Sequence, residues 1–324
     1  MTRDLYNNVY QRYDPSSTEI NEQLEILSKK CPLLKPYKNI SFEKINVGMN
    51  YNYFVKVGES RKYQLKILAR KGYPSINKIK ATYELLEKVD INYNTLVYAS
   101  EDIFPYGFFL YDYINGSIPE ENWISNFTKV LEEVHSVKLP SFGILDSTFQ
   151  SSNIYDYYKN IDQAIDASFG STFIEPYSIW DLVEDEFLDH FFLYDTFSYM
   201  YEVAKTLPDT KPHLCHGDMS KNNLLMQDSV IYLVDWDEAK SHIWPSELAR
   251  LLYYTDTEHH KTLYDKFIKS YPSTLDDTTI KKIITLEHIY QHLRNILIIC
   301  IGNTKSDALI RIKQKVRQIQ LLKV

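Results

Sequence analysis

The sequence offers little from which to build a disulfide framework, a membrane span or a nucleic-acid surface. Its three cysteines, Cys31, Cys215 and Cys300, are odd in number and widely spaced. No two are close enough to suggest a metal knuckle, and a reduced cytosol is the expected setting. The longest apolar run, Ile296 to Ile301, falls far short of the roughly 20 residues that cross a bilayer. The opening Met1 to Asn8 has no apolar core of a secretion signal, so a cytoplasmic protein is expected. Basic residues are outnumbered, 36 Lys and Arg against 43 Asp and Glu, for a net charge of −7. That balance disfavours non-specific nucleic-acid binding, which relies on phosphate neutralisation, and is compatible with a cationic small-molecule partner. No internal repeat or low-complexity segment is present. At 324 residues, 44% hydrophobic and 24% charged, the chain is long enough for two lobes and a sizeable core.

Against this background one stretch stands out. His216-Gly217-Asp218-Met219-Ser220-Lys221-Asn222-Asn223 is followed by Val230-Ile231-Tyr232-Leu233-Val234-Asp235-Trp236-Asp237. The first piece holds an acid and, five residues later, an amide; the second ends on another acid. Leu224 to Met226 and Val230 to Val234 read as strands, and Gln227-Asp228-Ser229 as the turn between them. A hairpin folds its two ends together, so Asn223 and Asp235 are expected side by side. Phosphoryl transfer uses such a set: one carboxylate orients a hydroxyl and accepts its proton, while an amide and a second carboxylate hold magnesium on nucleotide phosphates. Asp218 fits the first role, and Asn223 and Asp235 fit the others. Gly217 permits the tight turn. Taken singly, these are the residues of ordinary turns; their combination points to chemistry.

In this combination the segment resembles the aminoglycoside phosphotransferase and choline kinase superfamily, small-molecule relatives of protein kinases. The hallmark shared with that family is His-Gly-Asp, four residues, then Asn, followed by an Asp-Trp acid. Weaker features recur in order along most of the chain. The resemblance implies an α+β, two-lobed, protein-kinase-like fold: a small antiparallel-sheet lobe over residues 1–114, with a helix over 17–30, and a larger helical lobe over 115–324. It implies ATP or GTP as co-substrate, Mg2+ as cofactor, and a small hydroxyl-bearing acceptor, without nucleic-acid or membrane partners, in a monomer or dimer.

The other candidate residues follow from position within this frame. Segments 42–47, 53–57 and 63–68 read as strands, and the turn containing Gly48 and Asn50 sits where kinases cover the phosphates, although with a single glycine. On the third strand Lys66 is the expected phosphate-binding cation. The helical pattern of Ile76, Ile79, Tyr83 and Leu86 carries Glu84, with Glu87 as runner-up, as the acid that holds it. Asp112, Tyr113 and Ile114, before the Asn115-Gly116-Ser117 turn, correspond to the hinge that meets the adenine ring. His216 is expected to support the loop, and Lys221 to neutralise the transferring phosphate. Asp237, Glu238 and Trp244 are candidate acceptor contacts, with Trp236, Tyr253 and Tyr254 completing an aromatic box for an ammonium group. Glu247 replaces the Asp of the family's Asp-Leu-Ala segment, which leaves open whether its carboxylate still braces the loop.

The acidic stretch Asp181, Glu184, Asp185, Glu186 and Asp189, and the basic stripe Arg311, Lys313, Lys315 and Arg317, read as solvated faces, with an acceptor wall and a membrane or partner surface as the alternatives. Three functions remain distinct: a small-molecule kinase acting on an aminoglycoside-type antibiotic or an amino alcohol such as choline or ethanolamine; a protein kinase, disfavoured by the short segment after Asp235 without Asp-Phe-Gly; and a non-catalytic nucleotide-binding scaffold, disfavoured by the intact Asp218, Asn223 and Asp235.

Overall fold

The computed structural model describes residues 13–45, 50–119, 123–161, 163–164, 190–302 and 305–323. Gly48 and the acids at 181, 184, 185, 186 and 189 lie outside the described residues. The chain opens with helix α1 (Ser17–Lys30), whose first turn is capped by Ser16: its hydroxyl accepts from the Glu19 N–H at 3.2 Å. Ile20, Leu24 and Leu27 recur at helical spacing and are all buried.

They pack on an antiparallel sheet built from β1 (Ile40–Ile45), β2 (Tyr51–Val57), β3 (Ser60–Ile67), β5 (Leu96–Ser100) and β6 (Phe108–Asp112), ordered β1-β2-β3-β6-β5. Alternation along the strands divides its two faces. Tyr63, Leu65, Ile67, Phe108 and Leu110 join α1 in one core cluster. Phe109 and Tyr111 point the other way, into a second cluster with α2 (Ile76–Leu86), and Lys66 is the cross-strand partner of Phe109. Lys66 is thereby presented, buried, on the face of β3 opposite Tyr63, Leu65 and Ile67.

A short strand β4 (Asn92–Tyr93) follows α2 and pairs in parallel with β11 (Val230–Leu233), which itself forms a hairpin with β10 (Leu224–Gln227). Asp228 and Ser229 at the hairpin tip both have positive φ, 49° and 67°, giving the reversal a two-residue loop needs to match strand twist. Leu224 lies opposite Leu233, so Asn223 and Val234 are neighbours, joined by a Val234 N–H to Asn223 carbonyl bond of 3.1 Å.

The remainder is mainly helical. Helix α3 (Ile124–Ser136) buries Phe127, Leu131 and Val134. A third sheet, ordered β8-β7-β12-β9, contains β7 (Phe142–Ile144), β8 (Gln150–Ser151), β9 (His213–Cys215) and β12 (Lys240–His242). Helices α4 (Ile154–Lys159), α5 (His190–Ala204), α6 (Pro245–Tyr253), α7 (His260–Ser270), α8 (Asp277–Gly302) and α9 (Lys305–Leu322) complete the chain. Residues of α4, α5, α8 and α9 close a third core cluster. Of the basic stripe on α9, Arg311, Lys313 and Arg317 are exposed, while Lys315 donates to the Tyr253 hydroxyl at 3.1 Å. Among the described residues no helix is long and apolar enough to cross a membrane.

Candidate active site

Strand β9 feeds a loop whose shape is fixed by one buried carboxylate and one imidazole. Glu247, fully buried on α6, accepts from the His216 N–H and, at 3.4 Å, from the Gly217 N–H. Burial pushes its carboxyl above the usual range, and the facing His216 and these N–H groups counter that push. The extra methylene relative to Asp still delivers the oxygens to the loop, so the brace is retained. His216 donates from Nε2 to the Val234 carbonyl at 3.0 Å and accepts from the Asp218 N–H at Nδ1, 3.3 Å away. Those two partners define its tautomer and tie the loop to the end of β11. Replacing Glu247 by Leu strands two buried N–H groups and is expected to cost roughly 2–4 kcal/mol of unfolding free energy, measurable by urea denaturation.

Gly217 has φ +79°, and a Cβ there would stand 2.0 Å from the Glu238 carbonyl oxygen. Gly217→Ala is therefore expected to destabilise by at least about 2 kcal/mol and to displace the loop, a loss that a parallel melting and activity series would detect.

Asp218 sits at the head of the loop with its side chain one-quarter exposed. Its Oδ1 accepts from Arg250 Nε at 3.0 Å and Nη2 at 2.6 Å, and its Oδ2 from Asn223 Nδ2 at 3.2 Å. Burial alone would raise this carboxyl; the Arg250 guanidinium outweighs it and holds Asp218 below the usual carboxylate range. Asn223 Nδ2 also donates to the Asp218 carbonyl at 2.7 Å. With the nitrogen committed, the amide's remaining polar atom is Oδ1, an oxygen suited to a hard cation.

Asp235 adopts the left-handed conformation, φ +66° and ψ 61°, rare outside glycine and among the tolerances of Asp. Its side chain is 45% exposed, and Oδ1 accepts from Lys66 Nζ at 2.6 Å. The same ammonium reaches Asp237 Oδ1 at 2.9 Å. Burial disfavours the Lys66 charge, but these two carboxylates more than compensate and raise its pKa.

Lys66, Asn223 and Asp235 line one cleft of about 450 Å³, together with Phe54, Tyr111, Tyr113, Ile114 and Val234. Asp218 adjoins it through Asn223. An ammonium, a carboxylate and an amide oxygen thus face one space, beside an ionised carboxylate that can accept a proton.

The model of the phosphotransferase enzyme family matches residues 43–277, more than two-thirds of the chain, including every residue of the site just described. The chain belongs to the phosphotransferase enzyme family. No curated protein matches it significantly by sequence. By structure it is similar to the gentamicin complex of APH(2")-IIa (TM-score 0.66, 17% identity, 96% of this chain and 99% of that one). It is likewise similar to the ADP-bound aminoglycoside phosphotransferase APH(2'')-Ib (TM-score 0.64, 16% identity, 94% and 99%) and to aminoglycoside phosphotransferase APH(4)-Ia (TM-score 0.60, 14% identity, 93% and 99%). The α+β, protein-kinase-like fold implied by the sequence is the fold of this phosphotransferase.

Several expected residues fall elsewhere. Glu84 is exposed on α2, one residue past buried Tyr83 and so turned about 100° from the inward stripe. Glu87 caps the helix and is also exposed. The inward stripe instead carries Lys78, whose Nζ donates to the Asp237 carbonyl at 2.6 Å, and Lys66 takes its acids from Asp235 and Asp237. Asp237 therefore sits beside Lys66 rather than in an open acceptor pocket. Glu238 is paired with Arg294, which also donates to the Tyr73 hydroxyl at 2.7 Å. Trp244 is core, stacked on Phe267 with centroids 5.9 Å apart and packed against Tyr271 at 4.6 Å. Trp236 is buried against His216, which takes it too out of an aromatic box.

Among the hinge residues, Tyr113 and Ile114 line the cleft, but Asp112 does not: its N–H goes to the Thr95 carbonyl at 2.9 Å. The Tyr113 N–H is likewise engaged, with the Lys62 carbonyl at 3.1 Å. Asn50 is absent from the lining; its Oδ1 accepts from the Ala69 N–H at 3.2 Å. Lys221 is exposed on the turn that ends at Asn223. Sequence reasoning missed Lys78 and Arg250. Arg250 carried a usable signal: it follows Glu247 by three residues and thus shares its helix face.

Proposed function

We propose that this phosphotransferase moves the γ-phosphoryl group of ATP or GTP to a hydroxyl of a small molecule, with aminoglycoside-type antibiotics as the first acceptors to test. The observation that carries the reading is the convergence of Lys66, Asn223 and Asp235 on one cleft beside Asp218. The nucleotide is clamped between residues 1–114 and 115–324, with Tyr113 and Ile114 at the hinge. Lys66 binds the phosphate oxygens, and Lys221 adds positive charge near Asn223.

Magnesium fits the oxygens present: the half-exposed Asp235 carboxylate and the Asn223 Oδ1 left over once Nδ2 is committed to Asp218. When bound, it neutralises charge on the nucleotide phosphates. Asp218, kept ionised by Arg250, orients the acceptor hydroxyl and takes its proton as the new O–P bond forms and the bond to the β-phosphate oxygen breaks. His216 and Glu247 hold the loop in place and touch no reacting atom.

The relatives' own ligands support the class: one similar structure is an ADP-bound aminoglycoside phosphotransferase and another a gentamicin complex. A second reading, an acceptor bearing a carboxylate or phosphate, rests on the two guanidiniums beside the loop, Arg250 and Arg294. The acids there already have partners, Asp218 with Arg250 and Glu238 with Arg294. A choline-type acceptor loses support because Trp236 and Trp244 are buried in the core. An ADP-release screen with aminoglycosides, choline, ethanolamine, sugar alcohols and hydroxy acids separates these readings. Turnover with a hydroxyl compound is the expected result; slow nucleotide hydrolysis unaffected by every acceptor would count for the scaffold.

A further inference from the structure

Beneath the catalytic loop lies a group of side chains that phosphoryl transfer does not use. His213 and Cys215 alternate on β9 and so share one strand face, and His135 ends α3 against them. One ligand atom from each of the three lies within 4.8 Å of the other two, and all three residues are buried. The His135 and His213 rings are 4.5 Å apart.

Their hydrogen bonding is incomplete. His135 Nδ1 meets the Tyr271 hydroxyl at 2.6 Å, but its Nε2 and both ring nitrogens of His213 are buried with no hydrogen-bond partner. The Cys215 sulfur receives only a long contact from the Ser246 hydroxyl, 3.9 Å. Buried imidazole nitrogens without partners are costly, and a bound ion is one of the few things that satisfies them. The fully buried Glu247 carboxylate stands 4.0 Å from His135 Nε2, a nearby negative charge.

We propose that His135, His213 and Cys215 form a structural zinc site that ties α3 to β9 and, through Cys215 and Glu247, buttresses the start of the catalytic loop. Two imidazoles and a thiolate are a borderline-soft set of the kind zinc takes. Zinc–nitrogen and zinc–sulfur distances of about 2.0–2.3 Å place ligand atoms roughly 3.5 Å apart, so closure requires side-chain shifts of about 1 Å. The Tyr271 hydroxyl occupies the position of the outer partner that a ligating histidine gives its second nitrogen. Burial drives His135 to about 3 and His213 to about 2, keeping both imidazoles in the neutral, ligating form. The Cys215 thiol is pushed up by burial, so binding releases its proton to solvent as the metal–sulfur bond forms. Three ligands leave the fourth tetrahedral position to the Glu247 carboxylate, 4.0 Å from His135 Nε2, and a divalent ion, one thiolate and that carboxylate sum to zero charge.

The test uses the full chain loaded with Co2+ as a spectroscopic stand-in, then with Zn2+. One equivalent of cobalt with a thiolate-to-metal charge-transfer band is expected, and Cys215→Ser should abolish the band. Zn2+ should raise the melting temperature of the wild type, and a chelator should reverse that rise. Should Cys215→Ser fail to fold, His213→Gln keeps the thiolate and is expected to weaken cobalt binding at least tenfold. Cobalt that binds without the band, as at the exposed Asp256, Glu258 and His259 group, overturns the proposal. So does a band that survives in Cys215→Ser, or undiminished affinity in His213→Gln. Phosphotransfer activity enters none of these readouts, so the zinc site and the proposed function stand or fall separately.

Discussion

Asp218→Asn is expected to lower kcat by roughly 10²–10⁴-fold, the range for removing a positioned general base, while nucleotide affinity measured by calorimetry changes little. The reasoning rests on what Asp218 touches. Its oxygens face Arg250 and the Nδ2 of Asn223, not the Oδ1 assigned to magnesium, and none contacts Lys66 or Asp235. Asparagine is the more informative substitution. Alanine leaves the Arg250 guanidinium, nine-tenths buried, without its carboxylate, and a stranded buried charge costs several kcal/mol, so lost activity would be confounded with lost stability. Asparagine keeps a carbonyl oxygen for Arg250; it loses the capacity to take a proton and carry charge, together with the Oδ2 acceptor of the longer 3.2 Å Asn223 bond. Thermal melting beside the kinetics makes the distinction. Near-normal turnover in a folded Asp218→Asn enzyme would remove Asp218 from the mechanism.

Asp235→Asn should act on binding instead. Asparagine tolerates the left-handed backbone that Asp235 adopts, so the substitution isolates the charge. The change deprives Lys66 of its 2.6 Å carboxylate partner and any cation in the cleft of the one acid among its described lining residues. A hydrogen bond to a charged group contributes about 1.5–3 kcal/mol, so affinity for magnesium-nucleotide is expected to fall roughly 10–100-fold. Titration of magnesium-ATP into the variant measures it directly. The variant's affinity for ATP in the presence of EDTA should change far less, since the cation is then out of the comparison. Equal losses with and without magnesium would point to a role through Lys66 alone.

How legible this site was in the sequence depended on how local each determinant is. The hairpin announced itself through a turn between the apolar Leu224 to Met226 and the β-branched and aromatic run Val230 to Val234, and antiparallel pairing then forced Asn223 and Val234 together. Lys66 was readable because strand alternation assigns a polar residue within an apolar run to the opposite face. Helix phase was harder. A one-residue step separates buried Tyr83 from exposed Glu84, and composition alone does not say which side of α2 meets the cleft. Pairing between distant acids and bases was harder still: Lys66 to Asp237 spans 171 positions and Arg294 to Glu238 spans 56. Neither has a local signal. Trp244 illustrates the remaining difficulty, since an aromatic near a catalytic acid fits a substrate box and a core equally well until its neighbours, Phe267 and Tyr271, are in place. The parallel pairing of β4 with β11 was invisible for the same reason: two residues carry no periodicity.

The central claim is that Asn223 and Asp235, brought side by side by the fold-back, share one divalent ion with the nucleotide. Crystals grown with Mn2+ and a non-hydrolysable ATP analogue, with anomalous scattering collected at the manganese edge, put that to the test. The account predicts a manganese peak bonded to Asn223 Oδ1 and the Asp235 carboxylate, with phosphate oxygens completing its shell. A peak bonded to neither residue, or nucleotide bound outside the cleft bordered by Lys66, would contradict it.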